Sequence, residues 1–213
     1  MVFERRFGWH LPYFTGIGIH DALRSYLKRD IRHGLCNAHL LRELTGLEED
    51  TCQRWPRKLK DLLIEMKTQV ERTVERGATA LFGALQIKLE SEYDDLVKRA
   101  LQSNPRPKYQ PGQKGRPRAS PARNLAERLR KHKDSVLRFM RDFRVPFDNN
   151  QAERDIRMMK VKQKVSDCFR SLQGAQIFAT IRGYISTMRK QGHNALVALR
   201  ALLDGKPLLL NLA

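Results

Sequence analysis

Apolar residues recur every three or four positions along most of this chain, and that period constrains its fold more than any other feature. Leu59, Leu62, Leu63, Met66 and Val70 fall on one face of a 3.6-residue helix. Leu81, Leu85 and Leu89 repeat the spacing. So do Val136, Met140 and Phe143, and later Phe178, Ile181, Ile185 and Met188. From about residue 37 onward the sequence predicts helices whose apolar stripes are packing surfaces. Two short β-like runs come before them, GIGIH at 16–20 and IRHGLC at 31–36. The intervening ALRSYLKR reads as one or two helical turns. The expected class is mainly α with a small β element.

The clearest interruption of the helical pattern is residues 103–121. This stretch holds five of the nine prolines, five basic residues and no acid. Proline lacks an amide donor and disfavours helix in the residue before it, so an exposed loop is predicted. Composition supports two readings, a linker between helices or a basic arm that follows a phosphate backbone.

Charge is divided unevenly. The chain carries 41 Lys and Arg against 23 Asp and Glu, a net charge of +18. Residues 1–102 hold 17 basic and 15 acidic side chains, whereas residues 103–213 hold 24 and 8. An excess concentrated in this way favours a directed polyanion surface, with nucleic acid as the leading partner. With 213 residues the chain can bury a real core, as one domain or one domain with an appendage. No apolar run approaches the ~18–20 residues of a membrane span. The first ten residues have no apolar signal region. Cys36, Cys52 and Cys168 stand at unrelated spacings, which argues against a disulfide framework and for a reducing cytosol.

Three groups of residues have the types that chemistry requires. Asp21 ends the first β-like run, where a carboxylate serves either as a metal-binding acid or as the N-cap of a helix over 22–28. Cys36 and His39 form a single C-x-x-H pair, whose sulfur and imidazole share a helix face. A structural zinc site needs about four ligands. No second pair is evident, so a buried cysteine and a hydrogen-bonded histidine are expected. The third group is the run PFDNNQAERDIR, which starts at Pro146. Asn150 and Glu153 have capping-box spacing, and Glu153 and Arg157 are four apart. Alternatively, Glu153 serves a divalent metal. Arg154, Arg157, Lys160, Lys162 and Lys164 follow it closely, and an acid within such a basic strip suits metal-assisted phosphoryl transfer on a polyanion.

The segments GIGIHDALRSYLKRDIRHGLCNAHLLREL and VPFDNNQAERDIRMMKVKQKVSDCFRSLQGAQIFATIRGYISTMRKQG resemble the transposase of the bacterial insertion-sequence family numbered sixty-six. The likeness spans residues 13–203 and is most specific in DNNQAER. It implies an acid-triad transposase with a ribonuclease H-like core and a helical insertion. Three acids would hold two magnesium ions for attack on DNA phosphodiesters. Asp21 matches the second acid and Glu153 the third, on the core's closing helix. Cys36 and His39 match a Cys-x-x-His that lies between those acids in related transposases, where it supports local architecture. The implied layout is a partial core over 1–49, a helical insertion over 50–145 that includes the loop 103–121, and closing and C-terminal helices over 146–213.

Two departures qualify the likeness. The family's first acid lies well upstream of the second, yet only Glu4 among the first 20 residues is acidic. Ala22-Leu23 stands where Gly-Trp is expected after the second acid. The expectation is therefore the C-terminal part of a transposase, truncated, which binds DNA ends and is catalytically deficient alone. The alternative is a non-catalytic DNA-binding or regulatory remnant that competes with full-length transposase. Expected partners are transposon ends and other transposase subunits, with no membrane. The expected location is the bacterial cytoplasm, in association with the nucleoid.

Overall fold

The computed structural model describes residues 16–109, 115 and 117–208. Glu4 and residues 110–114 and 116 of the proline-rich loop lie outside them. The chain divides into two compact units, Met1–Asn149 and Asn150–Ala213.

The first unit begins with strands β1 (Ile17–His20) and β2 (Arg32–Leu35), which pair in parallel with Ile17 opposite Arg32 and His20 opposite Leu35. The helix between them is one turn, α1 (Arg24–Leu27), within the one or two turns expected but shorter than the span 22–28. Its N-terminal flank explains the shortening. Ala22 has φ of +66°, a left-handed conformation that cannot begin a right-handed helix. That is where the sequence has alanine in place of the expected glycine. Glycine adopts such a φ without a Cβ penalty.

Helices α2 (Asn37–Thr51), α3 (Trp55–Glu75), α4 (Gly83–Ser103) and α5 (Pro121–Lys131) follow, each packed on the next. Pro56 sits in the first turn of α3, where a missing amide costs no helical hydrogen bond. Leu44, Leu59, Leu63, Met66, Leu89, Tyr93 and Leu129 are fully buried where these helices meet. Burying one such aliphatic side chain contributes about 1.5–3 kcal/mol. Leu81 packs into the same core but precedes α4, so that stripe starts later than its period predicts.

The stripe of Val136, Met140 and Phe143 also differs from expectation. It is broken into two single turns, α6 (Lys133–Val136) and α7 (Arg138–Arg141). Val136, Leu137, Phe139 and Met140 are all buried, so the broken segment still packs into the core.

The loop after α4 is anchored at both stems. Arg106 donates two hydrogen bonds to Glu127, at 2.6 and 2.7 Å. Arg123 also binds Glu127 and donates to the carbonyls of Leu101 and Asn104, which satisfies the end of α4. These cations hold the Glu127 carboxyl down at about 2. On the far side, the Ser120 hydroxyl accepts from the Arg123 amide and caps α5.

The second unit contains α8 (Asn150–Ser166), α9 (Leu172–Lys190) and α10 (Ala195–Leu203). Met188 and Ala198 are buried there, and Phe169 meets Phe178 at 5.4 Å between ring centres. Tyr184 donates from its hydroxyl to the Ala198 carbonyl and accepts from the Leu208 amide. Ile181, in the predicted α9 stripe, is exposed. Among the described residues no helix is long and apolar enough to cross a membrane.

Candidate active site

Parallel pairing places His33 on the same sheet face as His20, because His33 stands two residues before Leu35, His20's partner. The ring nitrogens His20 Nε2 and His33 Nδ1 are 3.0 Å apart. The backbone fixes the proton positions. The Ala22 amide can only donate, so His20 Nδ1 accepts from it at 3.1 Å. Neutral His20 then carries its proton on Nε2 and donates to His33 Nδ1. The proton on His33 Nε2 points to the Arg29 carbonyl at 3.1 Å. Burial, and next the neighbouring His33, lower the pKa of His20. Tyr26 lies against the His20 ring at 5.2 Å between centres.

Asp21 follows directly on this strand and is exposed. Its Oδ1 accepts from the Leu23 amide at 3.3 Å, a turn-forming bond two residues ahead. The N-cap of α1 is Leu23, with no side-chain cap bond, so Asp21 does not cap that helix.

Cys36 links two parts of this unit. It is 1 % exposed and is the N-cap residue of α2. Its amide donates to the carbonyl of His20 at 2.9 Å, and its sulfur accepts from the Asn149 amide at 3.2 Å. A His39 ring nitrogen lies within 4.8 Å of that sulfur. The segment 147–149 is held twice more. The Phe147 carbonyl accepts from the Asn37 amide at 3.0 Å, and Asn149 Nδ2 donates to the Ile19 carbonyl at 3.3 Å. Asn37 is itself buried and donates through Nδ2 to the Val136 carbonyl.

Glu153 lies in the first turn of α8, where the helix dipole favours an acid. At 100° per residue, Glu153, Arg157, Lys160 and Lys164 share one helix face. Arg157, Lys160 and Lys164 are exposed, as is Arg154 beside them. Lys162 lies on another side of the helix and is half-buried, with Nζ donating to Ser166 Oγ at 3.0 Å.

Asn150 begins α8 as its capping-box spacing predicts, whereas His20 and His33 belong to no local motif. The available signal was the pairing of IGIH with RHGL, which puts both histidines on one face. Asn149's role depends on contacts over more than a hundred residues, which no local pattern carries.

One comparison with known proteins is positive. The family described as Transposase IS66 family matches residues 5–177, a span that contains Asp21, Cys36, His39, Glu153 and the basic row of α8. No curated protein and no solved structure matches the chain.

Proposed function

The chain belongs to the transposase IS66 family, and on that premise we propose that it acts in DNA transposition through Asp21 and Glu153 as two metal-holding acids. The observation that carries the reading is Asp21 itself, an exposed carboxylate at the C-terminal end of a parallel strand inside the matched span. β1, α1 and β2 are read as part of a ribonuclease H-like core, with the helices over 50–145 inserted into it.

The donor set fits magnesium. Carboxylate oxygens are the hard ligands that this ion takes, and an exposed acid leaves room for water and phosphate oxygens. Bound there, the ion would activate an attacking oxygen and stabilise charge on the phosphodiester. The chain's own groups do the rest. The Leu23 amide orients the Asp21 carboxylate. Arg157, Lys160 and Lys164 span about 10 Å along α8 and hold successive phosphates, with Arg154 at the flank. Asp21 and Glu153 are two of the three acids the family's chemistry uses, so the 213-residue chain by itself is read as deficient in strand transfer.

The test uses the full chain, duplex carrying a transposon end, and Mg2+. Salt-dependent DNA binding with no strand transfer is expected. Strand transfer that Glu153→Gln abolishes would refute the deficiency. Mn2+ binding that neither Asp21→Asn nor Glu153→Gln weakens would refute the metal assignment. Absence of DNA binding at low salt would remove the whole reading.

A further inference from the structure

Cys36 has no part in the two-acid reading, yet it bonds the immediate neighbours of both segments that reading uses. Its amide holds the carbonyl of His20, one residue before Asp21. Its sulfur holds the amide of Asn149, one residue before α8, the helix that carries Glu153. We propose that Cys36 is a positioning residue, a two-sided peg that fixes the end of β1 and the departure point of α8 together. The proposal rests on the two-acid reading for its functional meaning but not for its geometry.

Two observations support this role. The sulfur is almost completely buried and already accepts a hydrogen bond from a backbone donor. The clasp is also redundant in a directed way. Asn149 is held by its backbone to Cys36 and by its side chain to Ile19, while Phe147 is held to Asn37. All three bonds run from the 147–149 segment to residues at the end of β1 or the start of α2. Serine at 36 keeps an acceptor but on a shorter bond, whereas alanine leaves the Asn149 amide unsatisfied.

Amide hydrogen exchange on the full chain tests the proposal, with Cys36→Ala, Cys36→Ser, Asn149→Ala and, as a stability control, Leu129→Ala. Cys36→Ala is expected to speed exchange of the Asn149 amide and the amides of 154–157 about tenfold, the factor that one lost hydrogen bond gives. Those amides donate to the first-turn carbonyls of α8. Asn149→Ala should speed the 154–157 amides similarly, and Cys36→Ser should restore most of the protection. Leu129→Ala should lower the melting temperature without selective exposure of these amides. Unchanged exchange in Cys36→Ala, or the same pattern in Leu129→Ala, would overturn the proposal. Mn2+ titration of the same proteins separates the two readings. If Asp21→Asn and Glu153→Gln do not weaken the ion, the metal reading fails while exchange still decides the peg. If they do, the metal reading stands, and exchange again decides the peg.

Discussion

The side-chain amide of Asn149 donates to the carbonyl of Ile19 at 3.3 Å, across 130 positions of sequence. This bond and the Cys36 sulfur bring the segment before α8 to the end of β1. Between the two lie the helices α2 to α7, whose core is built from their own apolar stripes. The long intervening helical stretch therefore returns the chain to its starting strand.

Ala22 should respond to substitution in the order set by its left-handed φ of +66°. Ala22→Gly removes the Cβ penalty of ~1–2 kcal/mol but also the partly buried methyl, so a net gain of about 0.5 kcal/mol is expected. Ala22→Val adds β-branching in a region that tolerates it poorly and should cost at least about 1 kcal/mol. Denaturant midpoints of the three proteins check the order glycine, alanine, valine.

That position shows what the sequence carried and what it did not. The helical stripes were legible because period 3.6 is local, and Leu59, Leu62, Leu63 and Met66 are buried as their spacing requires. The departure at Ala22 was legible as an unexpected residue, while its consequence, a one-turn α1, needed the backbone. Asp21 and Glu153 lie in the two segments that carry the family likeness. The bonds around Cys36 were not legible, because hydrogen bonds between residues 36 and 149 leave no periodic trace.

Tyr93 is buried and its hydroxyl donates to the Leu129 carbonyl at 3.0 Å. Burial raises its pKa well above the usual tyrosine value. A raised folded pKa gives stability that is complete below the unfolded value near 10 and is lost as pH rises above it. The wild type should therefore lose stability above about pH 10, and Tyr93→Phe should remove much of that alkaline loss. At neutral pH the same variant should cost about 1–2 kcal/mol for the orphaned carbonyl. Denaturation curves from pH 7 to 11 test both effects.

His20 gives the opposite pH dependence. Its pKa is lowered by burial first and by His33 second, so the neutral form is favoured in the folded state. A lowered folded pKa gives stability that is present above about 6.5 and is lost as pH falls through the folded value. The melting temperature should drop as pH falls from 7 to 5. Because a protonated His20 cannot accept from the Ala22 amide, that amide should gain exchange over the same range. An unchanged Ala22 exchange rate at pH 5 would contradict the proton assignment.

Glu127 anchors the root of the proline-rich loop through Arg106 and Arg123. Its pKa of about 2 means that the clasp is intact above the ordinary carboxylate range and weakens as pH falls toward 2. Glu127→Gln should make cleavage by a low level of trypsin after Lys108 or Arg118 several-fold faster at pH 7. It should lower the melting temperature only slightly, since Arg106 is exposed and Arg123 keeps its bonds to the carbonyls of Leu101 and Asn104. Equal cleavage rates in the two proteins would show that the clasp does not restrain the loop.

The row on α8 makes the last test quantitative. Lys160 and Lys164 share a face with Arg157 and are exposed, whereas Lys162 is turned away and bonded to Ser166. If the row holds phosphates, each neutralised phosphate contributes about 0.9 to the slope of log affinity against log salt on duplex DNA. Lys160→Gln and Lys164→Gln should each lower that slope by nearly this amount and weaken binding alike on every sequence, because phosphate contacts carry no base information. Lys162→Gln should change the slope much less. A loss confined to one DNA sequence would point instead to base-edge contacts. Equal slopes for all three variants would show that the face defined by Arg157, Lys160 and Lys164 is not the one that meets DNA.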